Sequence, residues 1–212
     1  MEFRESFIVV GCPLPGSFRA DARVIGQLEA WRSKNVITYY PSSGAAEIGY
    51  DRIVKFARSI EPKPTHILFV DYDVLPRPST MKKLFEHDKD IVCGTYPAVR
   101  KNKIEWCLAK DRNAKKFGLM GIDDLPKNLF KVDIGSNGMM LVKMEVFDKI
   151  EWPYWRTQYE EDGSKIGADV HFFDKVKEAG IDVWVDPKLT CSHFKMVDLL
   201  GIAKNNSKGN TQ

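Results

Sequence analysis

Residues 65–78 read THILFVDYDVLPRP, in which an apolar run leads straight into two carboxylates, Asp71 and Asp73, before the segment breaks at Pro76 and Pro78. Carboxylates in this D-x-D spacing suit a hard divalent cation such as Mg²⁺ or Mn²⁺, which is commonly held by one or two acids together with substrate phosphates. Acids at a strand end also serve as solvated turn residues that bond to the following backbone. A motif with only two specified positions does not decide between these uses. That decision falls to residues elsewhere in the chain.

The acids need a scaffold, and the first half of the sequence supplies one by alternation. Phe7–Val10 reads as a buried strand stopped by Gly11 and Pro13, followed by Val24, Ile25, Leu28 and Trp31 at helical spacing. Val36–Tyr40 is a second strand ended by PSSG, and Ile53, Phe56, Ala57 and Ile60 form the apolar stripe of a second helix. Ile67–Val70 is the third strand and Ile91–Gly94 the fourth, with a short helix between them that Ser79 is placed to cap and that carries Met81, Leu84 and Phe85. Strands alternating with helices predict an α/β fold with a mostly parallel sheet and ligands outside the carboxyl ends of its strands. Asp71 and Asp73 fall at that edge.

The second half is less regular. Ile104–Leu108, Phe130–Ile134 and Met139–Val142 read as strands without long helices between them, which predicts a small antiparallel addition to the sheet. A helix over about 167–179 ends at Gly180, and Ile181–Val185 is the last strand. No internal repeat or interdomain linker is evident. A single domain over residues 1–200 is expected, with a polar tail over 201–212.

With 212 residues and 43% hydrophobic content, the chain can bury a full core. Its apolar runs fall well short of the roughly 18 residues of a membrane span, and the start MEFRESFIVV has too short an apolar region for a signal peptide. Cys12, Cys93, Cys107 and Cys191 lack C-x-x-C spacing and read as reduced core thiols, so a soluble, cytoplasmic protein is expected. The net charge of +3 comes from interspersed residues and gives no nucleic-acid footprint.

Three segments taken in order carry a resemblance. THILFVDYDVLPRP, then VDIGSNGMMLVKMEVFDKIEWPYW, then IGADVHFFDKVKEAGIDVWVDPKLTCSH resemble the successive signatures of metal-dependent GT-A glycosyltransferases related to family two, over Phe7 to His193. The resemblance implies a single-domain GT-A fold and transfer of a sugar, hexosyl in kind, from a UDP- or GDP-type nucleoside-diphosphate donor to a hydroxyl of an unspecified acceptor. It also implies a Mn²⁺ or Mg²⁺ cofactor. Two other families fit less well. DYDVL looks like a haloacid-dehalogenase-type phosphatase motif, but Leu75 stands at its fifth position and two βα units precede it. GCPLPGSFR is not the Gly-rich loop of a sugar nucleotidyltransferase. A nucleotide-sugar-binding module without turnover is the alternative within the same fold.

Carried over residue by residue, the resemblance implies that Asp73 binds the metal, Asp71 contacts the donor ribose or a metal-bound water, and His193 completes the metal site. Asp169 in GADV matches the second acid of a G-E-D motif and is the implied base of an inverting transfer. Ala168 stands where Glu is common, which leaves Glu160, Glu161 and Asp162 as other candidates. Pro13, in the loop 11–15, and Arg52, in GYDRIVKFA, are implied to lie near the nucleotide, with Ser43 at the edge of its base. Gly138 lies in the segment implied to line the sugar and acceptor site. Trp152, Tyr154 and Trp155 in EWPYW either offer an aromatic face to a sugar or pack in the core.

Overall fold

Strands whose residues are apolar on both faces belong inside a covered sheet, and the central strands here are of that kind. The computed structural model describes residues 2–3, 5–16, 19–100, 103–111 and 119–195. The first half runs β1 (Ile8–Gly11), β2 (Leu14–Pro15), α1 (Ala22–Ala30), β3 (Val36–Tyr39), β4 (Ser42–Ser43), α2 (Ala46–Ser59), β5 (His66–Val70), β6 (Val74–Leu75), α3 (Thr80–Glu86) and β7 (Ile91–Thr95). The second half runs β8 (Pro97–Arg100), β9 (Lys103–Ala109), β10 (Leu119–Gly121), β11 (Phe130–Val132), β12 (Met139–Lys143), α4 (Val146–Lys149), β13 (Gln158–Tyr159), β14 (Lys165–Ile166), α5 (Ala168–Glu178), β15 (Val183–Thr190) and β16 (Ser192–His193).

The main sheet has seven strands in the order β11-β15-β7-β12-β5-β1-β3. β1 pairs in parallel with β3 and β5, and β7 in parallel with β15. β12 lies antiparallel between β5 and β7, and β11 is an antiparallel edge. The sheet is therefore mostly parallel, as the alternation predicts. Alternate side chains feed two cores. On one face Val9, Ile67, Phe69, Cys93 and Met140 meet Ile53 and Ala57 of α2 and Phe172, Phe173 and Val176 of α5. On the other, Ile8, Val10, Leu68, Val70 and Leu141 meet Val24 and Leu28 of α1 and Met81 and Leu84 of α3. The period-two strand pattern and the helical stripes meet in three layers.

Three local expectations are corrected. The strand around Ile104–Leu108 does not extend the main sheet. As β9 it pairs with β8 and β10 in a separate three-stranded antiparallel sheet, touching the main sheet's chain through an isolated bridge of Ala109 to Ile134. Its outer half is exposed, which a strand inside a covered sheet could not be. Ser79 makes no side-chain cap to α3, and Thr80 Oγ1 accepts from Arg77 N–H at 3.1 Å instead. Ile181 does not begin the last strand. Gly180, at φ +69°, turns the chain out of α5, Ile181 N–H donates to the Val176 carbonyl at 3.0 Å, and β15 starts at Val183. Cys12, Cys93 and Cys191 are buried and Cys107 is half-buried, none in a disulfide. Among the described residues no helix is long and apolar enough to cross a membrane. The polar tail after Gly201 lies outside the described residues.

Candidate active site

β5 ends where its apolar run does, and the next residues turn back on themselves, with Val74 N–H donating to the Asp71 carbonyl at 3.0 Å. Two later segments clamp this turn. Asp71 N–H donates to the Gly138 carbonyl at 3.0 Å, and β16 pairs with β6, His193 opposite Val74, while Phe194 N–H donates to the Asp73 carbonyl at 2.9 Å. Asp71, Asp73, Gly138 and His193, far apart in sequence, thus meet at the carboxyl edge of the sheet.

Each acid has its own surroundings. The Asp71 carboxylate accepts from the Tyr50 phenol of α2 and lies so close to Gly138 that a Cβ there would stand 2.3 Å from its Oδ2. Gly138 is therefore glycine because Asp71 occupies the space a side chain would need. Burial pushes the Asp71 carboxyl up, with the Asp73 charge adding to it and the Tyr50 bond opposing it. Asp73 behaves the other way. Burial raises it, but His193 and Lys195 outweigh burial and hold it below the usual carboxylate range.

His193 is oriented from behind. Its Nδ1 lies 2.7 Å from the Pro97 carbonyl, which only accepts, so Nδ1 carries a proton, and Nε2 lies 3.4 Å from Asp73 Oδ1. With Nε2 unprotonated, it and Asp73 Oδ1 would both serve a cation between them. A carbonyl that fixes the far ring nitrogen is also found behind metal-ligating histidines. The donor set fits a divalent ion that draws its remaining ligands from water and substrate. Among the described residues no group of three or more His, Cys, Asp or Glu could hold a metal ion by itself.

Asp169 sits in the first turn of α5, where the helix dipole favours a carboxylate. Its Oδ1 accepts the Val170 N–H at 3.0 Å and lies over Gly167, where a Cβ would stand 2.4 Å away. It lines a cavity of about 240 Å³ together with Tyr96, Asn137, Lys165 and Gly167. A second cavity, of about 550 Å³, is lined by Asp73, Tyr72, Arg19 and Lys195. Tyr96 links the two sides. Its hydroxyl accepts from Gly138 N–H at 3.1 Å, and its ring stands edge-on to His193 with centroids 4.8 Å apart.

The remaining predicted residues lie on other elements. Pro13 packs on α2, where a Cβ at Gly49 would stand 2.5 Å from the proline ring. Exposed Arg52, one turn further along α2, donates to the Ser42 carbonyl. Glu160, Glu161 and Asp162 are exposed in the turn between β13 and β14. The expectation that Tyr154 and Trp155 offer a face to a sugar is corrected. They are 6% and 2% exposed, and the Trp155 indole is stacked on Phe172 at 4.4 Å and on Tyr50 at 5.1 Å, so its faces are taken by the core. The exposed ring of that segment is Trp152, at 72%.

Sequence reasoning passed over four residues here: Tyr50, Tyr96, Asn137 and Lys195. Tyr96 and Asn137 flank main-sheet strands at the same edge as the acids, which was the available signal. Tyr50 and Lys195 look like ordinary helix and tail residues until the fold brings them to Asp71 and Asp73.

No family model matches the chain, and no curated protein matches it either. Its fold is similar to that of solved structures. One is A197 from STIV, at a TM-score of 0.61 with 18% identity, covering 90% of this chain and 86% of that one. Another is GalNAc-T7 with UDP, GalNAc and Mn²⁺, at a TM-score of 0.58 with 7% identity, covering 93% of this chain and 45% of that one. The present chain thus corresponds to somewhat less than half of the second protein's length. At these identities the likeness is one of fold: a mixed α/β architecture with a large, mostly parallel sheet that a glycosyltransferase also uses.

Proposed function

We propose that this protein is a metal-dependent GT-A glycosyltransferase that moves a sugar from a nucleoside-diphosphate sugar to an acceptor hydroxyl with inversion. The observation that carries the reading is the Asp73–His193 pair, in which the imidazole Nε2 lies 3.4 Å from a nearly buried carboxylate at the carboxyl edge of a mostly parallel sheet. Mn²⁺ or Mg²⁺ held by these two residues supplies a Lewis acid that offsets the charge developing on the diphosphate leaving group. Asp71, fixed by Tyr50 and Gly138, is assigned to the donor ribose, and Pro13 and Arg52 to the nucleotide end of the donor. Asp169 is assigned the acceptor's proton. As the acceptor oxygen bonds to the anomeric carbon and the bond to the diphosphate breaks, the hydroxyl proton passes to Asp169, a role typically worth about 10²–10⁴-fold. The Mn²⁺- and UDP-containing neighbour supports the reading at the level of fold.

A second reading is a donor-binding module without turnover, favoured by the Lys195 ammonium already lying against Asp73. One experiment separates the two. Incubation of the wild type and Asp73→Asn with a panel of UDP- and GDP-sugars and Mn²⁺ should give slow, Asp73-dependent release of UDP or GDP from the wild type. Binding without release selects the module, and neither binding nor release overturns both readings.

A further inference from the structure

The Asp73 side chain is only 9% exposed, and each of its oxygens faces a different group, Oδ1 the His193 ring at 3.4 Å and Oδ2 the Lys195 ammonium at 2.5 Å. A carboxylate this deep is costly without a counter-charge. Lys195 supplies that charge from a side chain that is itself 52% exposed. Its backbone neighbourhood is pinned. Phe194 N–H is bonded to the Asp73 carbonyl at 2.9 Å, and the Arg23 guanidinium lies 3.6 Å over the Phe194 ring. The ammonium, on its flexible four-carbon stem, therefore moves as a side chain while the strand stays in place. The space beside it is the cavity of about 550 Å³, whose wall carries a second cation, Arg19, alongside Asp21, Asp73 and the Tyr72 ring.

We propose that Lys195 is a built-in counter-ion that neutralises Asp73 and is displaced when a divalent ion binds, so that metal and nucleoside diphosphate bind cooperatively through it. The inference rests on the metal and donor reading given above. A divalent ion and an ammonium repel one another and compete for the same carboxylate. Metal arriving alone between Oδ1 and His193 repels the ammonium on Oδ2 and drives it off Asp73 into a cavity that already holds Arg19. A diphosphate entering that cavity takes up the released ammonium and the metal together. Each ligand thereby lowers the cost of binding the other, and linkage makes the enhancement equal in both directions.

The competition predicts effects of opposite sign in one variant. Mn²⁺ affinity is measured by the electron paramagnetic resonance of the free ion, alone and with saturating UDP or GDP, for wild type, Lys195→Met, Lys195→Arg and Asp73→Asn. The methionine variant should bind Mn²⁺ alone about tenfold more tightly than wild type, while the enhancement of Mn²⁺ affinity by the diphosphate should fall by about tenfold. Lys195→Arg should keep the wild-type pattern, and Asp73→Asn should lose the site. A merely structural lysine would weaken both measurements when removed. Unchanged or weaker Mn²⁺ binding by Lys195→Met overturns the inference and leaves the metal reading standing. Absence of Asp73-dependent Mn²⁺ binding in the wild type and in Lys195→Met, with either diphosphate, overturns the metal reading and this inference with it.

Discussion

β5 buries His66 at its amino end and delivers Asp71 and Asp73 at its carboxyl end, so one strand carries titratable groups to both edges of the sheet. At the amino edge, burial, aided by the charge of Lys143, lowers the His66 pKa to about 4. Its Nδ1 lies 2.8 Å from the Thr65 hydroxyl, and its ring stands 5.0 Å from that of Phe85. The imidazole is neutral, enclosed and satisfied by a sequence neighbour. At the carboxyl edge, Tyr50, Gly138, His193 and Lys195 reach the acids from three separate segments, and cavities open beside them. Burial of a polar group is common to both ends. Convergence of distant partners onto open space belongs to one, and this marks a candidate site where burial alone does not.

The contrast breaks most sharply if Asp169 is not part of the working end. Asp169→Asn keeps the shape and removes the basicity, so turnover should fall by about 10²-fold or more with UDP or GDP binding intact, and the wild-type product should carry the inverted anomeric configuration by NMR. A retained anomer or an active variant would move attention to Glu160–Asp162. Gly138→Ala is expected to have an intermediate effect. Its methyl would meet Asp71 Oδ2 at 2.3 Å on a backbone already bonded to Asp71, so a cost of about 1–3 kcal/mol in denaturant melts is expected. Mn²⁺-dependent diphosphate affinity, read by calorimetry, should weaken in parallel. Unchanged affinity would detach Gly138 from the site.

The quiet end gives the smallest effect, visible only in acid. The folded His66 value of about 4 lies below its ordinary 6.5, so its contribution is fully present above pH 6.5. It is lost as pH falls from 6.5 toward 4, where the unfolded chain binds a proton that the folded chain refuses. Across that window the loss is on the order of 3 kcal/mol. His66→Leu should flatten this limb in urea melts at pH 7 and pH 4.5 without altering diphosphate binding at pH 7. An unchanged acid limb would mean that other groups dominate it.

Much of this was legible because it is local. The apolar run before Asp71 specifies β5, the stripe of α2 specifies its packed face, and Gly180 stops α5 where the sequence says it should. The D-x-D acids and His193 could be singled out because their residue types are informative and their order matches a known pattern. What escaped depends on tertiary placement. Nothing near Tyr50 in sequence hints that its hydroxyl meets Asp71, and EWPYW shows three large rings without saying which are enclosed. Only the stacking of Phe172, Trp155 and Tyr50 settles that. The strand at Ile104 was recognisable as a strand, but its pairing with a neighbouring hairpin strand was not, because strand patterning fixes faces and leaves partners open.

The antiparallel strand β12 has a consequence for how the chain comes together. It occupies the middle of the sheet, bonded to β5 on one side and β7 on the other, yet follows both in sequence. As the polypeptide leaves the ribosome, β5 and β7 are complete while the place between them is empty. Each then presents an unpaired apolar edge. β5 and β7 are joined only when residues 139–143 arrive, through contacts of large sequence separation that form slowly. Gly138 comes with that strand, so Asp71 at the end of β5 gains its backbone partner in the same event that joins β5 to β7.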